Sequence, residues 1–195
     1  MDSLTILAMA AEAVQRSESL ELEREREFTI RRPRTSDIPL LAQVEHSAAQ
    51  IYRTAGMDSL ADGATLDPYI LITIANAGYL LIAANRFDEP IGFLGGNYLS
   101  GNFHIIELSV AREYQGRGIG SALVTTMSQQ VRLEGYRSIT LTTFKDLPWN
   151  APWYAKLGFE EVKAQDMGKE FEKLVDSEAR HGLDPKRRCV MRMVF

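Results

Sequence analysis

The chain has 195 residues, enough for one domain with an extension and short of two full domains. Hydrophobic residues at 45% and charged residues at 25% exclude wholesale disorder. With 22 Lys+Arg against 26 Asp+Glu, the net charge of -4 argues against a broadly basic nucleic-acid-binding surface, and the single cysteine, Cys189, excludes an intrachain disulfide framework or a cysteine-rich zinc site.

Residues 1–27 form a compositional zone of their own, ending in a run of mixed charge (18–27) that reads as a solvated helix or frayed leader. The expected division is therefore a charged leader, 1–27, and one domain, 28–195. Residues 4–11 are apolar like the core of a signal peptide, but Asp2 precedes them and no Lys or Arg does, so secretion is not expected. The longest apolar stretch, 69–84, is broken by Thr73, Asn76 and Gly78 and falls short of the roughly 18–20 residues of a membrane span. A cytoplasmic protein without membrane or nucleic-acid partners is the expectation. His46, His104 and His181 are too scattered for a metal motif.

From Phe28 the pattern becomes regular. Residues 28–32 alternate as a short strand that Pro33 ends. Thr35 or Ser36 is expected to cap a helix with Asp37 in its first turn and an inner stripe of Leu40, Leu41, Val44 and Ala48. Asp67-Pro68 starts a second helix, running to Ala77 and closed by Gly78. Residues 79–84 and 91–98 read as hairpin strands around the turn Asp88-Glu-Pro90, and 103–110 as the next strand. A helix over 118–134 places Ile119, Leu123, Met127 and Val131 on one face, with Val124 beside them. Strand 138–144, a short helix capped by Asn150 and ended by Gly158, strand 159–162, a charged helix 166–181 and a terminal strand 188–195 complete a mixed α/β domain of about seven strands.

The chemistry concentrates where strand 103–110 meets the following helix. Gly116, Gly118 and Gly120 open that helix, so main-chain N–H groups converge without Cβ obstruction at a partly positive helix end, a receptor for phosphate oxygens to which Arg117 adds charge. A nucleotide P-loop is excluded because no Lys follows Gly120, and a dinucleotide fingerprint because the third glycine comes one position early.

The motif Gln115-Gly-Arg-Gly-Ile-Gly120 resembles the Q-x-x-G-x-G/A pyrophosphate loop of the GNAT superfamily of acyl-CoA-dependent N-acyltransferases. The stretch Asn150-Ala-Pro-Trp-Tyr-Ala-Lys-Leu-Gly-Phe159 is similar to that family's segment in which a tyrosine lies four residues before a Gly-Phe pair, although Asn150 stands closer to the tyrosine than in many members. The resemblance covers roughly 28–162. It implies a GNAT-like α/β fold (mixed α+β) whose central, mostly antiparallel sheet is splayed between its fourth and fifth strands and flanked by helices.

It further implies acetyl-CoA as co-substrate, with no metal. Its pyrophosphate would lie on Gln115, Gly116, Arg117, Gly118, Ile119, Gly120 and Ser121, and its pantetheine arm along Leu108, Ser109 and Val110, with Asn150 and Tyr154 nearby. The Leu108 N–H is the expected oxyanion donor, Glu107 the expected base against an even reading as a structural carboxylate, and Tyr154 the expected acid against packing alone. His104, of opposite strand parity to Glu107, is expected to pack or meet solvent. Trp149 and Trp153 read as cleft-wall or core aromatics, and Cys189 as a residue of the alternating terminal strand rather than a catalytic thiol. The acceptor is expected against the 52–66 segment, where Asp58 and Asp62 offer negative charge to a small-molecule amine. A protein N-terminus or lysine, and a non-catalytic acyl-CoA sensor, are the alternatives. A homodimer, through the C-terminal strand or the leader, is a further implication of the family.

Overall fold

The structure, a computed structural model, describes residues 28–195. The expectations for the leader lie outside the described residues. Strands β1 (Phe28–Arg31), β2 (Leu80–Asn85), β3 (Pro90–Leu99), β4 (Asn102–Val110), β5 (Ser138–Phe144), β6 (Glu160–Val162) and β7 (Arg188–Val194) form one sheet in the order β1-β2-β3-β4-β5-β7-β6. Every pairing is antiparallel except β4 with β5. The C-terminal strand is therefore interior, paired with β5 on one side and β6 on the other, and β1 and β6 are the sheet's edges.

Helices α1 (Ile38–Ala49), α2 (Asp58–Ala61) and α3 (Pro68–Asn76) lie between β1 and β2 in sequence. The buried stripe of α1 is Ile38, Leu41, Val44 and Ala48, whereas Leu40 is exposed. Neither Thr35 nor Ser36 caps it. Asp37 occupies the cap position without a capping bond; its carboxylate instead accepts from Arg31 at 2.6 and 3.1 Å and from the Arg34 N–H at 2.6 Å. A guanidinium that offers two donors to one carboxylate outcompetes a single cap N–H. At α3 the expected cap forms: Asp67 accepts from the Tyr69 N–H at 2.8 Å. Gly78, at φ 81°, turns the chain so that the Tyr79 N–H reaches the Ile74 carbonyl at 2.9 Å.

Helix α4 (Ile119–Leu133) crosses the other face, and all five residues of its expected stripe are buried. They pack on Phe103, Ile105, Ile139 and Leu141, while Leu41, Leu71 and Ile74 of α1 and α3 pack on Leu80, Ile82 and Phe93 from the opposite side. Helix α5 (Ala151–Lys156) follows β5. The charged helix expected over 166–181 is broken at Gly168, φ 102°, into α6 (Ala164–Met167) and α7 (Lys169–Arg180). Among the described residues no helix is long and apolar enough to cross a membrane.

Two irregularities of β4 shape the molecule. Gly95 pairs with Glu107 but Gly96 pairs with Ile105, so Ile106 is an extra, bulged residue. A side chain at Gly96 would stand 2.4 Å from the His104 carbonyl oxygen and 2.6 Å from the Phe103 ring, so only glycine fits opposite the bulge. The second irregularity is that β4 and β5 pair only at Phe103 with Ile139 and His104 with Thr140. Ser138 donates to Asn102, Thr140 to the Phe103 carbonyl, and His104 Nδ1 meets Thr140 Oγ1 at 3.0 Å, closing that end. Beyond it the two strands diverge.

Candidate active site

The divergence of β4 from β5 opens a cleft of about 930 Å³. Glu107, Leu108, Ser109 and Val110 line one wall, Phe144, Trp149, Asn150 and Tyr154 the other, and Gln115, Gly116 and residues 118–121 the mouth. One cavity thus gathers every residue that the sequence assigned to catalysis or to the coenzyme except Arg117. Its guanidinium lies over the Tyr114 ring at 5.4 Å and donates to the Glu113 carbonyl at 3.1 Å.

The mouth is built to receive an anion. Gly116 and Gly118 have φ of 78° and 81°, left-handed backbone that glycine tolerates, and a Cβ at either position would meet nothing within 4 Å. No side chain caps α4, so the N–H groups of its first turn, at Ile119, Gly120 and Ser121, have no intrahelical acceptor. Gln115 braces the bend: its amide donates to the Val110 carbonyl at 2.9 Å and the Ala48 carbonyl at 3.3 Å, and its oxygen accepts from Arg112 at 2.9 Å. Its side chain therefore holds the loop. Gly120 lets α4 approach Trp153, whose ring atoms would stand 3.3 Å from a Cβ there. Open main-chain donors at a partly positive helix end fit a pyrophosphate.

Glu107 sits at the divergence, its carboxylate accepting from Ser109 Oγ at 2.8 Å and from the Leu108 N–H. Burial, with Glu45 of α1 adding like charge, pushes its pKa up to about 7 despite those bonds. A carboxyl tuned there exchanges a proton at neutral pH. Because Ile106 is bulged, Glu107 and His104 fall on the same sheet face, and strict alternation misplaces them on opposite faces. His104 packs edge-on to Phe171 of α7 at 5.8 Å, and burial lowers its pKa to about 4. Cys189 is buried, its thiol pushed up to about 11 by desolvation, which suits core packing.

Tyr154 is buried between Trp153 at 4.7 Å and Phe159 at 5.5 Å, and burial together with the charge of Glu107 holds its phenol protonated, as a proton donor must be. Asn150 occupies the N-terminal position of α5, as expected, but makes no capping bond; its amide donates to Thr143 Oγ1 at 2.8 Å, tying α5 to β5.

The sequence profile of the Acetyltransferase (GNAT) family matches residues 44–159, more than half of the chain. The chain belongs to this family. Solved structures share the fold at low identity. A GNAT-family acetyltransferase from Staphylococcus aureus is 17% identical with a TM-score of 0.64, over 86% of this chain and 98% of that one. PaiA N-acetyltransferase from Thermoplasma acidophilum, in complex with coenzyme A, is 15% identical with a TM-score of 0.61, over 86% and 99%. The ribosomal-protein-S18-alanine N-acetyltransferase of Escherichia coli is 15% identical with a TM-score of 0.60, over 86% and 93%.

The far end of the cleft in this GNAT acetyltransferase differs from the sequence expectation. Asp58 and Asp62 do not offer free negative charge, because Arg53 pairs with both, at 2.9 Å with Asp58. Glu45 and Glu107 are the carboxylates that line the cleft. Both oxygens of Glu45 accept from the Leu66 N–H, at 3.1 and 2.9 Å, and burial raises its pKa. Glu45 was legible in principle, since it stands one helical turn after Leu41 and beside Val44, a carboxylate at the margin of an apolar stripe. Leu183, between α7 and β7, and Arg188, which begins β7, also border the cleft and carried no such signal. Glu178 of α7 holds Arg188 at 2.8 and 3.1 Å and accepts from Thr142, so α7 anchors that wall.

Proposed function

We propose that the protein transfers an acetyl group from acetyl-CoA to the primary amine of a small molecule. The observation that carries this reading is Glu107, a carboxyl with a pKa raised to about 7, set on the diverging strand of a cleft whose mouth is an uncapped, glycine-lined helix start.

Acetyl-CoA, when bound, supplies an activated acyl carbon. The backbone of residues 115–121 holds its pyrophosphate, and Leu108, Ser109 and Val110 lie beside its pantetheine arm. An alkylammonium with a pKa of about 10 is not a nucleophile at neutral pH, so its proton must be taken first. Glu107 accepts that proton, directly or through one water. The Leu108 N–H, which otherwise donates to Glu107, is a donor for negative charge developing on the acyl oxygen. Tyr154 returns a proton to the departing thiolate. The acceptor end, bordered by Leu60 and Thr65 on one side and Leu183 on the other, favours a compact amine over a long peptide.

The test is thiol release from acetyl-CoA across small amines, polyamines and peptides, with calorimetry of coenzyme binding alongside. Turnover confined to peptides transfers the reading to a protein acceptor. Coenzyme binding without turnover on any acceptor makes the protein a sensor.

A further inference from the structure

The acceptor end of the cleft has a chemical character of its own. The rings of Tyr52, Phe144 and Trp149 form one cluster, with Tyr52 edge-on to Phe144 at 5.9 Å and to Trp149 at 6.4 Å. Leu183 faces the same space. The carboxylates that line this end, Glu45 and Glu107, face one cleft, and the charge of Glu45 acts on Glu107, so a single ammonium between them answers both. Arg188, also on this wall, is matched by Glu178 and disfavours a second cation nearby.

We infer that the acceptor amine is a monoamine with an aromatic-sized apolar body: its ammonium lies between Glu45 and Glu107, and its body lies against Tyr52, Phe144 and Leu183. This rests on the acetyltransferase reading above and narrows its substrate. A polyamine would leave a second charge among aromatic and aliphatic walls, and a peptide would have to pass the segments that bear Leu60 and Leu183.

The experiment measures kcat/KM for thiol release by the full chain with tyramine, 2-phenylethylamine, spermidine and an alanine-initiated hexapeptide. Both aromatic amines are expected to exceed spermidine and the peptide by at least about tenfold, the effect of one well-made buried contact. Spermidine or the peptide as the best acceptor overturns the inference while leaving acetyl transfer intact. Coenzyme binding with no thiol release from any acceptor overturns the catalytic reading and this inference together.

Discussion

Glu45 of α1 and Glu107 of β4 line one cleft, where burial and the charge of Glu45 together push the Glu107 carboxyl up to about 7.

 Helix α1 packs on the sheet that contains β4, and each carboxyl is buried enough that its charged form is disfavoured. As base, Glu107 must be ionised, so kcat/KM is expected to rise with pH and level off above about 7. Glu45→Gln removes the like charge and should move that inflection to lower pH. The amine's own ionisation is common to both enzymes, so a pH–rate comparison on one acceptor isolates the shift, and an unmoved inflection would separate the two carboxylates.

The same tuning links activity to stability. The native protein holds the Glu107 proton up to about pH 7, whereas the unfolded chain releases it near 4.5. The stability tied to this group is therefore complete below about 4.5 and lost as pH rises through 7. Glu107→Gln, which cannot ionise, is expected to melt above the wild type at pH 8, with the gap closing towards pH 4.5. Its turnover should fall by about 100-fold or more. A lower melting temperature at pH 8 would mean that the ionised carboxylate is itself a structural partner.

At the mouth, Gly118→Glu places a carboxylate where the coenzyme's pyrophosphate is assigned. Space exists for the side chain, so the structural effect is limited to the left-handed backbone, about 1 kcal/mol. Calorimetry should show coenzyme binding abolished while the melting temperature falls only a few degrees. Retained affinity would place the pyrophosphate elsewhere.

Gly96→Ala acts on the fold. The new methyl would collide with the His104 carbonyl and the Phe103 ring, and the backbone partner cannot swing away. A loss on the order of 3 kcal/mol is expected in denaturant unfolding. Activity should fall with it, because the bulge that aims Glu107 must shift. An undisturbed protein would show that the strands pair without the bulge.

Much of the site was legible because its signals are local. A glycine-rich bend needs backbone that only certain residues adopt, and Gly116 and Gly118 carry it in their identities. The stripe of α4, the Asp67 cap and the tyrosine of α5 are likewise short-range patterns. Other inferences failed where a turn of irregular backbone decided which charged side chains meet, even between near neighbours in sequence. Asp58 and Asp62 looked like free acids until Arg53 folded against them, and Asp37 looked like a helix residue until Arg31 claimed its carboxylate.

By itself, then, the sequence determined the family, the order of strands and helices, and the anion-receiving loop, since each rests on residues near one another along the chain. Only the tertiary structure decided the face on which Glu107 lies, its company with Glu45, and the interior place of β7. The reason is that a bulge, a carboxylate pair and a strand insertion are set by which distant segments meet, and one extra residue in a ladder reverses every side chain beyond it.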